Sequence, residues 1–282
     1  MTDNGWEASS RIAYWRESME RARGFMDRMM EYPVIESREA LCSIPEAAQA
    51  AGVEVKFSDT PIVDDIPRIF EVREGVMGPL LEAAAEMVER GWILKIEDGF
   101  RTAEMQRKLA RKEGIFDTIL RKTAWEVGTE DPDAEIVFRR VSVLVATVPK
   151  LAGHMSGCAV DISVLDRDTR ELLERGGPYL EMSELTPMFS PFISPEALIR
   201  RAEITAVMER CGFAAYPYEF WHYSLGDAFA EDLRHTGSPA CYAAVHRNPT
   251  DRSIEPIDEL AVPLHDGQDI LEEIKRAKAR LH

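Results

Sequence analysis

Apolar residues recur at intervals of three and four positions in several stretches of the chain, and this spacing predicts amphipathic helices. The pattern of the first stretch stops before Pro33 and that of the second stops at Gly91, as helix ends do. The methionine-rich face of the first helix fits either the core or a dimer contact, so formation of a homo-oligomer stays open. The predicted helices cover residues 9–30, 76–90, 104–112, 195–211 and 268–281, with a short one that starts at Ser43.

Alternating or β-branched segments between these helices predict strands. Residues 141–148 also favour a strand, although a helix or a loop that leads to Pro149 fits them as well. Residues 239–263 show no regular pattern. Helices and strands mixed along one chain indicate an α+β fold. The predicted strands are residues 53–57, 92–96, 160–164 and 219–224, with 160–164 at the centre of the sheet.

The length of 282 residues and the hydrophobic content of 45% allow a sizeable core. We expect one main domain, residues 43–235, which would carry any active site. A helical N-terminal extension, residues 1–42, and a C-terminal extension with a terminal helix, residues 236–282, would flank it.

The balance of charge and the lack of apolar runs exclude some partners. With 50 acidic and 34 basic residues the formal net charge is −16, which argues against nucleic acid, because phosphate binding depends on basic patches. No apolar run approaches the roughly 20 residues that cross a bilayer, so no membrane association is expected. The N-terminal residues lack a signal-peptide pattern and the four cysteines lack C-x-x-C spacing, which predicts reduced thiols and a cytoplasmic location.

Two short segments carry side chains of the types that bind zinc. The first supplies His154 and Asp161, and the second supplies Glu219 and His222. Two imidazoles and one carboxylate make a three-ligand set that leaves a fourth position for water, as in catalytic zinc sites. Glu219 would take a proton from that water, because zinc lowers the pKa of bound water toward neutrality. We therefore expect one zinc ion per chain, held by His154, Asp161 and His222.

Each half of this pattern is a weak signal alone, since a histidine followed by an aspartate seven residues on arises often by chance. The four residues in this order favour a metal site over hydrogen-bonded core or surface histidines. Cys158 lies inside the first segment, but packing is its favoured role because three better ligands are present. On a regular strand Glu219 and His222 would point to opposite faces, so we predict a twist or bulge between them.

The order H-x6-D followed by E-x-W-H resembles that of the zinc-dependent D-alanyl-D-alanine dipeptidase family, which is related to the hedgehog-type zinc fold. Upstream, residues 91–102 resemble the family's strand that ends in an aspartate and an aromatic–arginine pair, here Asp98 and Phe100-Arg101. The resemblance implies a central, mainly antiparallel sheet flanked by helices, and zinc ligation by the three residues named above. It also implies that Glu219 is the general base and that Arg101 stabilises the negative oxygen of the transition state. Asp98 either orients Arg101 or belongs to a plain turn.

Two departures from the family pattern concern the substrate. Ala152 stands where the family usually has a serine near the substrate's carboxylate, and Leu180 stands where the dipeptidases usually place an aspartate for the free amine. Glu181, or otherwise Glu184, is the candidate substitute for that aspartate. Ser156 is the second candidate substrate-binding residue.

The resemblance implies a dipeptidase whose small peptide substrate is D-alanyl-D-alanine or a related cell-wall dipeptide. One alternative is a D,D- or L,D-carboxypeptidase that acts on longer peptidoglycan stems, and another is a zinc-containing binding module without turnover. The presence of Glu219 and Arg101 favours an enzyme. The changes at Ala152 and Leu180 favour an altered substrate or the binding module.

Overall fold

The sheet at the centre of the fold has five strands, and only one neighbouring pair of them is parallel. The computed structural model describes residues 8–64 and 66–281. In sheet order the strands are β2 (Val55–Phe57), β4 (Trp92–Asp98), β5 (Ala159–Asp166), β7 (His222–Ser224) and β6 (Ala214–Ala215). β2 and β4 are parallel and the other pairs are antiparallel. The expected α+β fold with a central, mainly antiparallel sheet is confirmed.

Two pairs of short strands lie outside this sheet. β1 (Leu41–Ser43) pairs with β3 (Glu71–Arg73), and β8 (Val245–Arg247) pairs with β9 (Ile254–Pro256), both antiparallel. The prediction that residues 239–263 are irregular is therefore wrong for the hairpin of β8 and β9. Each of its strands has three residues, too few for alternation to be visible in the sequence.

Helices cover the sheet, and each of the predicted ones is present within a few residues of its predicted ends. Side-chain oxygens of polar residues cap several helix starts by accepting hydrogen bonds from free backbone N–H groups, as Ser43 does from Glu46. The helices are α1 (Ala8–Glu31), α2 (Ile44–Ala51), α3 (Glu74–Glu89), α4 (Ala103–Leu109), α5 (Glu113–Val127), α6 (Ala134–Leu144), α7 (Gly153–Ser156), α8 (Pro195–Arg210), α9 (Ala228–Leu233) and α10 (Gly267–Leu281), with a 3-10 turn at Pro149–Leu151.

The strand favoured for residues 141–148 is wrong, because the first part of this segment ends helix α6. Asp133 caps that helix by accepting a hydrogen bond from the backbone N–H of Glu135, 2.8 Å away. Val137, Val141 and Val143 then lie on its buried side. Here the cap and the burial of one helical face outweigh the strand preference of β-branched residues.

Both ends of the chain contribute to the main hydrophobic core. Trp15, Met19 and Met29 of α1 are buried there, as are Ile270 and Ile274 of α10. Core packing of the methionine-rich face of α1 is therefore confirmed, while the domain boundaries and the oligomeric state stay predictions. Within the described residues, no helix combines the length and the hydropathy of a membrane span. All four cysteines are free thiols.

Candidate active site

The register of three neighbouring strands brings polar side chains together at one end of the sheet. Asp98 of β4 pairs with Asp161 of β5, after a bulge that follows Ile96, and Asp161 pairs with His222 of β7. Directly opposed residues of antiparallel strands present their side chains on the same face. The sheet therefore supplies two of the three predicted metal ligands.

The third ligand, His154, lies on the short helix α7. That helix ends at Gly157, whose φ of 74° is left-handed and whose Cβ, if it had one, would lie 2.5 Å from the Cδ2 of Leu41. The Nδ1–H of His154 donates to the carbonyl oxygen of Gly99 at 2.7 Å, and the backbone N–H of Arg101 donates to the His154 carbonyl at 3.1 Å. This arrangement leaves the Nε2 lone pair of His154 free for a metal.

The donor atoms of the three ligands converge on one point. The Oδ1 of Asp161 lies 3.1 Å from the Nε2 of His154 and 2.9 Å from the Nδ1 of His222. One donor atom from each residue lies within 4.8 Å of the others, and all three residues are buried. Two imidazole nitrogens and one carboxylate oxygen fit zinc with an open fourth position.

The second oxygen of Asp161 is held by two further residues. Arg101 donates to Oδ2 from Nη2 at 2.9 Å, and the hydroxyl of Tyr179 donates to it at 2.8 Å. Burial alone would raise the pKa of Asp161, but His154, His222 and Arg101 together hold it well below the ordinary value. Asp161 is therefore an anion at neutral pH.

Arg101 joins the site to the preceding strand. Its Nε donates to the Oδ2 of Asp98 at 2.6 Å, so the structure shows the contact expected if Asp98 orients Arg101. Burial opposes the charge of this guanidinium, yet the two carboxylates of Asp98 and Asp161 raise its pKa above the usual value. Arg101 thus carries a fixed positive charge beside the ligand set.

The pKa values of the two histidines shift in opposite directions. Burial, together with the charge of Arg101, lowers the pKa of His154, so it is neutral at neutral pH, as a metal ligand must be. Burial also acts to lower the pKa of His222, but its hydrogen bond to Asp161 outweighs this and raises it. In the metal-free protein a proton on His222 competes with the metal.

Glu219 reaches the same cavity because the chain turns before β7. The backbone N–H of His222 donates to the Glu219 carbonyl at 3.1 Å, and β7 starts only at His222. The strand predicted at residues 219–224 is therefore wrong for its first three residues, and the predicted departure from flat strand geometry between Glu219 and His222 is a turn. Burial raises the pKa of Glu219 to about 8, with His222 lowering it and Asp161 raising it further. In the metal-free protein this carboxyl group holds its proton at neutral pH.

A cavity of about 50 Å³ adjoins these groups. Its charged and titratable lining comprises the three predicted ligands, Glu219, Arg101 and Tyr216, and most of the remaining wall is apolar. The apolar wall comes from widely separated parts of the chain: Met26, Leu109, Ile115, Val143, Leu144, Val145, Ala146, Leu151, Ala152, Gly153, Leu180, Met182, Trp221 and Phe229.

The two candidate substrate-binding residues lie outside this lining. The hydroxyl of Ser156 donates to the Gly153 carbonyl at 2.6 Å, and Glu181 is absent from the cavity wall although both of its chain neighbours belong to it. The alternative, Glu184, is paired with Arg11 at 2.9 Å and with Lys122. Substrate binding by Ser156 and Glu181 stays a prediction.

Sequence reasoning did not find Tyr179 and Gln106. Tyr179 contacts Asp161 from a loop, 18 residues further along the chain. Gln106, on α4, accepts a hydrogen bond from Arg101 at 3.4 Å and lines the cavity. The only sequence signal for Gln106 is its position on the buried face of a helix that directly follows the Phe100-Arg101 pair.

Comparison with known proteins gives the class and the family. A profile of the peptidase M15 family, described as D-ala-D-ala dipeptidase, matches residues 67–239, which is more than half of the chain. The class of the matched family is peptidase. The chain belongs to the peptidase M15 family of D-ala-D-ala dipeptidases.

Curated relatives match shorter or less similar stretches. The D-alanyl-D-alanine dipeptidase of Enterococcus faecium is 34% identical over 80 residues, 28% of this chain and 40% of that protein. The D-alanyl-D-alanine dipeptidase of Streptomyces coelicolor is 31% identical over 74 residues, 26% of this chain and 37% of that protein. That of Synechocystis is 25% identical over 179 residues, 56% of this chain and 70% of that protein. The match thus spans less than half the length of the first two relatives.

Two solved structures are similar at low identity. One is the vancomycin resistance D,D-pentapeptidase VanY in complex with Zn(II), at 17% identity and a TM-score of 0.36, covering 68% of this chain and 89% of that one. The other is the LD-carboxypeptidase LdcB, at 16% identity and a TM-score of 0.37, covering 74% of this chain and 79% of that one.

The raised pKa of Glu219 predicts how pH changes the stability of the metal-free protein. Between an unfolded pKa of about 4.3 and the folded value of about 8, the unfolded chain is ionised at Glu219 while the folded protein keeps the proton. Unfolding then releases a proton, so rising pH lowers the free energy of unfolding, by at most about 1.4 kcal/mol per pH unit. Glu219→Gln removes this loss. We expect the zinc-free variant to gain stability over zinc-free wild type as pH rises from about 5 to about 8.

Urea unfolding in the presence of a chelator measures this difference at each pH. The matched control is Glu203→Gln, which makes the same change at an exposed position of α8. A free-energy difference between Glu219→Gln and wild type that stays constant across this pH range would contradict the assigned environment of Glu219.

Proposed function

We propose that the protein is a zinc-dependent peptidase that binds one zinc ion per chain and hydrolyses a small peptide, D-alanyl-D-alanine or a related cell-wall dipeptide. The observation that carries this proposal is the convergence of His154, Asp161 and His222 in one buried cavity that also contains Glu219 and Arg101. Membership of the dipeptidase family supports it. The cytoplasmic location stays a prediction from the sequence.

The chemistry divides between the metal and the side chains. Zinc, when bound, supplies a Lewis acid that lowers the pKa of a water and polarises a carbonyl group. Glu219 accepts the proton of the attacking water and delivers it to the leaving amine. Arg101 faces the developing negative charge with a guanidinium that Asp98 holds in place at 2.6 Å. Asp161 contacts both histidines and Arg101 and so holds their side chains in position around it.

The walls of the cavity support a short peptide over a long stem. Met26 of α1 and Phe229 of α9 contribute to these walls. A long peptidoglycan stem would need an open groove where these helices lie. Glu219 and Arg101 are both directed to the cavity, which supports turnover over a binding module without catalysis.

The apolar wall determines which amino-terminal group of a peptide the cavity can bind. Among the residues that the structure describes, Asp161 and Glu219 supply the carboxylates of the lining, and the mechanism uses both. Leu180, which lines the cavity with a left-handed φ of 65°, offers no acceptor to a charged amine. A buried ammonium without a partner is costly. The cavity therefore favours small peptides whose amine is acylated, or it binds a free dipeptide weakly.

Hydrolysis by the zinc-loaded protein tests the proposal. We expect cleavage of free or N-acylated D-alanyl-D-alanine, and we expect Glu219→Gln to lower kcat by about 10²- to 10⁴-fold while zinc still binds, because the general base is lost. The exposed Glu203→Gln is the control and keeps full activity. A zinc-loaded Glu219→Gln with wild-type kcat would refute the mechanism, and a panel of D,D-, L,D- and L,L-peptides without any cleavage would favour the binding module.

Leu180→Asp tests the role of the apolar wall. The new carboxylate would pair with a free amine, and aspartate tolerates a left-handed backbone better than leucine does. We expect kcat/KM for the free dipeptide to rise by about 10- to 100-fold relative to its N-acetyl form, the ratio that a charge-assisted hydrogen bond of about 1.5–3 kcal/mol gives. Leu180→Asn is the control, because the asparagine side chain has the shape of aspartate without its charge. Equal ratios for Leu180→Asp and Leu180→Asn would show that charge at this position does not select the substrate.

A further inference from the structure

We propose that Asp227 is a positioning residue for the metal site, whose unpaired carboxylate oxygen lies beside the outer nitrogen of His222 and, in the zinc-loaded protein, accepts its Nε2–H, so that the Nδ1 lone pair of His222 is directed to the metal. The inference rests on the proposed zinc site. It assigns a role to a residue outside the two segments that supply the ligands and the base.

One oxygen of Asp227 has partners and the other has none. Its Oδ1 accepts the hydroxyl of Ser224 and the backbone N–H of Ala230, both at 2.8 Å, so the carboxylate is fixed as the cap of helix α9. Its Oδ2 is buried without a hydrogen-bond partner among the described residues. Asp227 as a whole is 5% exposed. A buried carboxylate oxygen without a hydrogen-bond donor lowers the stability of the folded protein, which indicates a functional role for this oxygen.

The unpaired oxygen shares a small space with the outer nitrogen of His222. The Nδ1 of His222 faces Asp161, so its Nε2 points away from the ligand set. A Cβ on Gly153 would lie 3.0 Å from the Oδ2 of Asp227 and 3.7 Å from the Nε2 of His222. Gly153, which has no side chain, leaves this space open to both groups. Ser224 lies two residues after His222 on β7, so the two side chains point to the same face of the sheet. The hydroxyl of Ser224 donates to Asp227, so the Asp227 carboxylate lies on that face as well.

Each of the two histidines then has a hydrogen-bond partner for the ring nitrogen that does not face the metal. His154 is already fixed, because its Nδ1–H donates to the Gly99 carbonyl and its Nε2 faces the metal position. A histidine ligand needs such a partner for its second nitrogen, which sets the tautomer and the ring orientation. Asp227 is the corresponding partner for His222 in the zinc-loaded protein.

Two other groups compete for the same oxygen. The thiol of Cys158 lies close to Asp227, although its Sγ also contacts the hydroxyl of Ser156 at 2.7 Å. A cavity of about 10 Å³ adjoins Asp227 and is just large enough for one water molecule. The experiment must therefore distinguish a hydrogen bond that His222 donates to Asp227 from one that the Cys158 thiol or a buried water donates.

Asp227→Asn is the decisive variant. Asparagine is also a good helix cap and can still accept from Ser224, so the variant keeps the fold and removes the charge that faces His222. We expect the zinc dissociation constant, measured by competition with a chelator, to rise by about 10- to 100-fold, the loss typical of such partners. The unfolding midpoint of the metal-free variant should match that of the metal-free wild type. Cys158→Ala should keep the wild-type zinc affinity.

Nitrogen-15 NMR of the zinc-loaded wild type gives an independent readout. We expect His222 with its proton on Nε2 and Nδ1 bound to the metal. Unchanged zinc affinity in Asp227→Asn, an equal loss in Cys158→Ala, or a His222 proton on Nδ1 would each overturn the inference alone. A wild-type protein that binds no zinc would overturn the proposed function along with it.

Discussion

The carboxylate of Asp161 is the interaction on which the rest of the site depends. It lies on the central strand of the sheet, and its Oδ1 faces the imidazoles of His154 and His222 at 3.1 and 2.9 Å. Its Oδ2 is held by Arg101 and Tyr179. A buried carboxylate is stable as an anion only when such partners surround it. Losing Asp161 would therefore leave two imidazoles without their common acceptor and the buried Arg101 with Asp98 as its carboxylate partner.

A second constraint fixes the segment that carries Glu219. The ring of Phe220 contacts two buried guanidinium groups, those of Arg175 and Arg201, at 4.9 and 3.8 Å from its centroid. Arg175 donates to the carbonyls of Ile162 at 2.7 Å and of Phe220 at 3.4 Å, and so ties β5 to the turn that holds Glu219. Burial, with the neighbouring charge of Arg175, lowers the pKa of Arg201 to about 9. The turn is thus held by two cations whose hydrogen bonds go largely to backbone carbonyls.

The sequence indicated the polar side chains of the site better than its walls. The ligand residues and Glu219 stand in short motifs, and the Asp98 and Arg101 pair follows a strand with a clear apolar pattern. The structure brings all of them together. The walls depend on tertiary packing: Met26 of α1 reaches the cavity from more than 100 positions away from the first ligand, and no local pattern indicates that.

The strand expected at residues 141–148 failed for a related reason, because burial of a helical face decided that segment and β-branched preference did not. Tyr179 was missed because a loop tyrosine has no spacing that distinguishes it from a surface residue. What a sequence shows directly is therefore the set of reactive groups, whereas the shape that selects a substrate comes from distant elements.

X-ray absorption spectroscopy of the purified, zinc-loaded protein tests the central claim most directly. The account predicts one zinc per chain with nitrogen and oxygen ligands only, at about 2.0–2.2 Å, two of them imidazoles, and loss of the ion in Asp161→Asn. A sulfur ligand at about 2.3 Å, or an unchanged spectrum in Asp161→Asn, would contradict the claim that Asp161 organises the site.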